Sequence, residues 1–368
     1  MKLPLGKTYQ RYLFREVFFA TLLVLAAFLA LFGFFDLINE LGSIGRGTYH
    51  IQHAIIFVVL TLPGRIYELM PIAVLIGSLF ALSTLARHSE ITVLRASGMS
   101  TRELLMTLFR VAALFAFLTF LIGEFLAPPS EKLGQRIRLQ ALGMPLSADF
   151  RTGLWVKDEN RFINVRTVTP EAKLLGIRIY EFDDQQRLQM VSEAKEGEYL
   201  PTSEWRLNSV EQTILEYDAK GQPVRGRVAH QDEVMWQSAL NPDILSVLLV
   251  VPERMSVWNL TSYIKHLSDN RQKTQRYEIA LWKKVVYPLA ALVMVALALP
   301  FGYSHNRVGG VSLKIFSGVM LGVFFHMLNG LFSNLGIINS WPPFSSAVTP
   351  SAMFLLAAMG MMWWVERR

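Results

Sequence analysis

The sequence predicts a helical integral membrane protein whose six spans fall into two groups of three around an inserted all-β domain. Three observations carry this. Of 368 residues, 52% are hydrophobic and only 18% charged, against roughly 25% charged in a soluble chain. The apolar residues gather into long runs near both ends, on the scale of the about 20 residues a helix needs to cross a hydrocarbon core. Between the runs lies a polar stretch with short alternating segments, the period-two pattern of half-buried strands.

The first run, residues 17–35, follows Lys2, Lys7, Arg11 and Arg15. A cleavable signal also begins this way. This run is longer than a signal core, however, and Phe34-Phe35-Asp36-Leu37 does not resemble a small-residue cleavage site. A retained helix with a cytoplasmic N-terminus is expected. The second run, residues 53–86, exceeds one straight span and is interrupted by Pro63, Gly64, Arg65 and Glu68, with Pro71 beyond. Residues 51–62 form either a shorter helix leading in from the outer face or the first part of one kinked helix. Arg65 and Glu68 are neighbours one turn apart. Residues 87–102 are polar, and a third span, 106–127, is expected to end at Pro128-Pro129.

These elements divide the chain into residues 1–129 (spans one to three), 130–255 (the β domain) and 256–368 (a connecting helix and spans four to six). In the middle part, alternation at 162–165, 176–182 and 204–207 is separated by turn signals at Thr169-Pro170, Asp183-Asp184 and Lys220-Gly221-Gln222-Pro223. Such spacing predicts an antiparallel sandwich or barrel. Residues 256–282 read as an amphipathic helix, and spans follow at 285–303, 313–335 and 347–365. Trp363-Trp364 and Arg367-Arg368 close the last span as an interfacial anchor.

Orientation follows from the short loops. The N-terminus, residues 87–102, 305–310 and the C-terminus all carry Lys or Arg, whereas the loops 36–52 and 336–345 carry only Arg46. The positive-inside bias places the β domain outside. The net charge of +7 reflects the same bias. No basic stripe with interleaved aromatics points to nucleic acid. With no cysteine, disulfides, zinc-thiolate sites and thiol nucleophiles are excluded.

No phosphate-cradling Gly-x4-Gly-Lys-Ser/Thr loop occurs, nor a Gly-x-Ser-x-Gly elbow or His-Glu-x-x-His. No catalytic site, bound cofactor or metal is therefore expected, and His50 and His53 lack a third ligand. Two features stand out. In the cytoplasmic segment, about 87–98, Ser89 can cap a short helix with Glu90 in its first turn, apolar Ile91, Val93 and Leu94, then Arg95 and a C-capping Gly98. It suits either a partner's groove or the lipid surface. In the fifth span, Gly318, Gly322, His326, Gly330 and Asn334 recur every four residues, beside Asn329 and Ser333. Small residues let helices approach closely, and an imidazole within a span marks a candidate site.

The segment Ser89-Glu90-Ile91-Thr92-Val93-Leu94-Arg95-Ala96-Ser97-Gly98 resembles the coupling-helix signature of the lipopolysaccharide-export permeases, the LptF/LptG family. The resemblance continues through Gly123-Glu124-Phe125-Leu126-Ala127-Pro128, Gly153-Leu154-Trp155-Val156-Lys157-Asp158 and Ile179-Tyr180-Glu181-Phe182, then residues 263–267, Trp282 and Pro288. Ala96-Ser97-Gly98 and Gly153-Leu154-Trp155 are similar to the LptG branch. The resemblance implies a bacterial inner-membrane subunit with a periplasmic β-jellyroll-like domain. It would pair with an LptF-type permease and work with an LptC-type single-span protein and an LptB-type ATPase dimer, which supplies ATP and Mg. Lipopolysaccharide would be lifted from the inner membrane toward a periplasmic bridge.

By the same resemblance, Glu90, Ile91, Val93, Leu94 and Arg95 would contact the ATPase, with Glu90 meeting one of its arginines. Arg136 and Arg138 would face the lipid's phosphates, which suits guanidinium chemistry, and His326 is a further substrate candidate. Gly318, Gly322, Gly330 and Asn334 would border the gate between the permease subunits. Relatives carry lysines near the end of the first span where this chain has Gly33, Asn39 and Glu40. Two other readings compete: a mechanotransmission permease, expected to keep four spans, and a membrane-embedded lipid-modifying enzyme, which would need clustered intramembrane acids, His or Ser.

Overall fold

The computed structural model describes residues 8–145, 152–169, 173–183, 185–200, 202, 204–217, 223–238, 242, 245, 251–303 and 311–367. The expected loop 305–310, the turn residues Pro170, Asp184 and 220–222, and the terminal Lys2, Lys7 and Arg368 lie outside these residues.

Among the described residues, six helical stretches are long and apolar enough to cross a membrane. Thr8–Leu41, Ile51–Arg87 and Arg102–Leu142 precede the sheet; Gln275–Pro300, Ser312–Ile338 and Pro343–Trp364 follow it. The second run is one helix, α2 (Ile51–Arg87), with Pro63 and Pro71 inside it. Its residues 69–79 are buried without a break, as befits a helix that is apolar all round. It packs along α1 (Thr8–Leu41), α5 (Ala127–Leu142), α8 (Ala290–Tyr303) and α9 (Val311–Ile338). Leu75, Leu79 and Leu82 of α2 share one core with Phe115 of α4 (Thr101–Leu121), Met294 of α8, Phe325 of α9 and Phe354 of α10 (Pro343–Glu366).

Pro128-Pro129 does not end the third span. The helix passes through a π turn, Ile122–Leu126, straight into α5. Prolines at these positions cannot donate to the carbonyls one turn back, and widening the turn accommodates them without unwinding the chain. The hydroxyl of Ser130 donates to the Leu126 carbonyl at 2.6 Å. The expected amphipathic helix after the sheet is two helices, α6 (Val257–Asp269) and α7 (Gln275–Val286). The Asn270 side chain turns back to the His266 carbonyl, and Arg271 takes φ 53°, which stops α6.

The β domain is one antiparallel sheet: β1 (Leu154–Asp158), β2 (Arg161–Val168), β3 (Leu174–Phe182), β4 (Leu188–Tyr199), β5 (Trp205–Tyr217) and β6 (Pro223–Trp236), paired in sequence order. This is an up-and-down meander, without Greek-key crossings among the described strands. One transverse row, Val165–Ile177–Ala194–Val210, is buried throughout. The adjacent row on the other face, Asn164–Arg178–Glu193–Glu211–His230, is polar. The period-two pleat separates them. Leu139 of α5 packs onto the apolar row's core, and the β1–β2 turn docks on α6, where the Glu159 amide donates to Asn270 Oδ1 at 2.8 Å.

Candidate functional sites

At the end of the bundle remote from the sheet, α3 (Glu90–Ala96) sits in the corner between α2 and α4. Gly98, at φ 93°, closes it with a Schellman pair: its N–H meets the Arg95 carbonyl at 2.9 Å, and the Met99 N–H meets that of Leu94 at 3.1 Å. The C-cap expected from Gly98 is therefore present, since only a residue at ease with positive φ completes this turn. Ser89 differs from expectation: at φ 58° it forms the corner itself, and its side chain caps nothing. Ile91 is buried while Thr92, Val93 and Arg95 are exposed, Val93 at 62%. Leu94 is half-buried. Glu90 has His88 at 4.0 Å and the Tyr12 hydroxyl as neighbours. On the α4 side, Ser100 and Glu103 form a capping box, and Glu103 also accepts from Tyr9 of α1 at 3.3 Å. The result is a small knob with one face anchored and one bare.

Near the sheet, Arg136 and Arg138 lie on α5, two residues apart and hence about 200° apart around a helix. They do not share a face. Arg138 Nε is 2.9 Å from Glu40 Oε2, and its guanidinium stacks over Phe57 at 5.5 Å. Glu40 also accepts from the Tyr49 hydroxyl at 2.8 Å. Burial, then this carboxylate, push the Tyr49 phenol well above its ordinary range. Thus Glu40, at the end of the first span, holds one of the two arginines. Arg136 is exposed and has no ion pair among the described residues.

A second charged group at this end was not foreseen as a unit. Arg65 grips Asp36 of α1 through two bonds of 3.0 and 2.8 Å and reaches Glu68 at 3.3 Å. Glu68 faces Arg254 at 3.4 Å, and Arg254 meets Glu131 of α5 at 2.7 Å. Glu124, turned by the π turn, accepts the Val257 N–H at the start of α6 at 2.9 Å, a favourable place for a carboxylate. Buried Lys284 stands over the Tyr67 ring at 4.6 Å, and Tyr287 donates to the Glu68 carbonyl at 2.5 Å. Ionisable residues in or beside apolar runs were the available signal. Sequence does not reveal their pairing, because Arg254 and Glu131 are 123 residues apart.

The α9 stripe does not keep to one face. A four-residue step advances about 40° beyond a full turn, so Gly318 and Asn334 end about 160° apart. A Cβ on Gly318 would meet Leu79 of α2, and one on Gly322 would meet Ile72, whereas Gly330 has open space. The buried line is Gly318, Gly322, Phe325, Asn329, Ser333 and Gly336. Asn329 and Ser333 bond back to their own helix at 3.1 and 2.8 Å. His326 and Asn334 are exposed on this chain.

Comparison with known proteins gives a consistent result. The family model of the lipopolysaccharide export system permease LptF/LptG matches residues 11–364. The lipopolysaccharide export system permease protein LptG of Escherichia coli K12 is 30% identical over 96% of this chain and 97% of its own length. The LptG protein of Haemophilus influenzae is 30% identical over 98% of both.

Proposed function

We propose, because the chain belongs to the lipopolysaccharide export system permease LptF/LptG family, that it is the transport subunit of an ATP-driven lipopolysaccharide exporter in a bacterial inner membrane. Its termini face the cytoplasm and its sheet the periplasm, in line with the Lys/Arg bias of the loops. An LptF-type permease pairs with it, an LptC-type protein receives lipid for the periplasmic bridge, and an LptB-type ATPase dimer supplies ATP hydrolysis with Mg.

The observation that carries the ATPase half is the build of α3. Its fixed C-cap and buried Ile91 hold the helix on the bundle while Val93 is exposed on the outer side. A partner groove that takes up Val93 and pairs Glu90 with a cation would move α3 together with the ends of α2 and α4. Exposed Arg136 at the other end offers a guanidinium to a lipid phosphate. Arg138 could do so only by leaving Glu40. His326 and Asn334 serve the gate or the lipid from the exposed side of α9, while Gly318 and Gly322 let α9 slide against α2.

The test is co-purification of the detergent-solubilised chain with a separately produced LptB-type ATPase. Glu90→Ala and Val93→Asp should each lower the retained ATPase about tenfold or more, since truncating one partner of a buried charge pair costs about 2–5 kcal/mol. Wild-type retention and export by both variants would overturn the coupling role.

A further inference from the structure

The elbow between α6 and α7, residues 270–274, has its height fixed by Gln275. The Gln275 side-chain amide donates to the carbonyls of Gly336 and Trp341, both at 2.9 Å. The elbow therefore stands where three candidate spans, Gln275–Pro300, Ser312–Ile338 and Pro343–Trp364, begin or end. Trp282, Trp341 and Phe344 are exposed here, with Trp282 edge-on to Phe344 at 5.0 Å. Aromatic side chains gather in this way at headgroup level.

Arg271, Lys273 and Arg276 are all exposed, and none has an ion pair among the described residues. Of the carboxylates nearest in sequence, half-buried Glu278 is held by the Thr274 hydroxyl at 2.6 Å and Asp269 is exposed, so three cations stand against two anions with no ion pair between them. Elsewhere in this layer the arginines beside carboxylates are matched: Arg65 with Asp36, Arg138 with Glu40, Arg254 with Glu131. An unmatched cationic group on the sheet side also runs against the bias that keeps Lys and Arg on the cytoplasmic side. It calls for an anion from outside the chain.

We infer that the α6–α7 elbow, through Arg271, Lys273 and Arg276, holds the phosphate-bearing headgroup of an anionic phospholipid of the surrounding bilayer. The site is separate from Arg136. The elbow rests on α9 and α10, whereas α5 packs on α2. Two guanidinium forks and one ammonium supply the donors that a phosphate takes, and the aromatic shelf supplies the apolar footing for its chains. The elbow also carries Asn270, which receives the β1–β2 turn, so a bound headgroup would fix that docking point against the bilayer. The inference rests on the membrane-spanning reading and not on which lipid is exported.

The test is native mass spectrometry of the purified full chain in detergent. It would be mixed with phosphatidylglycerol and phosphatidylcholine in equal amounts, and in a second arm with phosphatidylglycerol and lipopolysaccharide. The wild type should retain phosphatidylglycerol over phosphatidylcholine. R271Q/K273Q/R276Q should weaken phosphatidylglycerol retention by about a hundredfold, taking each cation near a membrane surface at its usual worth. K132Q, at an exposed cation of α5 with no assigned role, should leave retention unchanged. The milder R271K/R276K, which keeps every charge, should retain the lipid and guards against a folding defect in the triple variant. Undiminished retention by the triple variant overturns the inference. So does its loss in K132Q alone, or a triple variant that drops lipopolysaccharide while keeping phosphatidylglycerol. Because the readout is lipid retention, failure here leaves the export assignment standing, and failed export leaves this result standing.

Discussion

Replacing Arg254 by methionine removes the cation that joins the segment after the sheet to two membrane helices. Arg254 closes the 3-10 turn Pro252–Arg254, with Nη1 2.7 Å from Glu131 and Nη2 3.4 Å from Glu68. The Glu131 side chain is 4% exposed, and its Oε2 has no hydrogen-bond partner. Truncation would leave that carboxylate buried without a counter-ion. Removing one member of a buried pair costs about 3–5 kcal/mol. Glu68 keeps Arg65 at 3.3 Å, and its contact with Arg254 is half-exposed, so it adds little. Because Arg254 is itself 30% exposed, the expected loss is about 2–4 kcal/mol, mainly from Glu131. A two-state unfolding curve is a poor readout for a multi-part membrane protein. Amide exchange in α5 and in residues 252–256 is the better assay, and it should accelerate between roughly thirtyfold and several-hundredfold. Adding Glu131→Gln removes the stranded charge and should restore most of the protection. Wild-type exchange in R254M, or no recovery in the double variant, would refute the reasoning.

A Cβ on Gly123 would run into the Tyr67 ring, whose position Lys284 also shares, so Gly123→Val should cost about 1–3 kcal/mol. Gly330→Val, with open space, should leave the thermal stability of the solubilised protein nearly unchanged; equal losses would contradict this. Asp183 accepts the amides of Gln185 and Arg187 at 2.9 and 2.8 Å, and these bonds with the Arg187 side chain hold its carboxyl below the ordinary 3.8. A depressed folded-state pKa stabilises the β3–β4 turn above the unfolded value and loses that effect as pH falls through the folded one. Turn amides should therefore lose protection only in strong acid, and in Asp183→Asn at no particular pH, as read by exchange against pH. In this cysteine-free background, His326→Cys should crosslink to the partner permease, and Gly322→Cys, under Ile72 of its own chain, should not; the reverse pattern would place the partner on the wrong face.

The features legible in the sequence are those set by local pattern. Apolar length gave the spans, and alternation gave β2, β3 and the start of β5, three of the six described strands. Gly98 gave the end of α3 because a Schellman turn leaves so few residue choices. The misreadings also have local causes. Ser89 looks like an N-cap, but only two residues separate α2 from α3, and so tight a corner needs φ 58° rather than an extended cap. Pro128-Pro129 looks like a stop, yet a π turn is a cheaper answer where α2 already packs along both sides of the joint. Residues 256–282 show amphipathic character on both sides of residues 270–274, and periodicity does not register the single left-handed residue that divides them. The four-residue stripe in α9 attracts the eye, but packing follows 3.6, so its two ends face different surroundings.

The pairing of charges was not legible, and it decides how the two ends of the molecule are joined. Asp36, Arg65, Glu68, Glu131 and Arg254 come from α1, α2, α5 and the turn after the sheet. Their partners stand 29 and 123 residues apart in the two closest interhelical pairs, beyond the reach of any periodic signal. Yet α2 alone carries both Arg65 and Glu68 and, at its other end, the corner leading to α3. Over its 37 residues it spans up to about 55 Å as one continuous helix. A tilt imposed by a partner at α3 would reach Arg65 and Glu68 through Pro71, where the helix lacks one backbone bond. The group there can respond by breaking or by moving as a body. Breaking would strand Glu131, which is nearly sealed from water, whereas Arg254 and the π turn that aims Glu124 at α6 can follow together. The lower-cost response would therefore carry the turn after the sheet along with α2, and a pull at α3 would then reach the segment that leads out of the β domain.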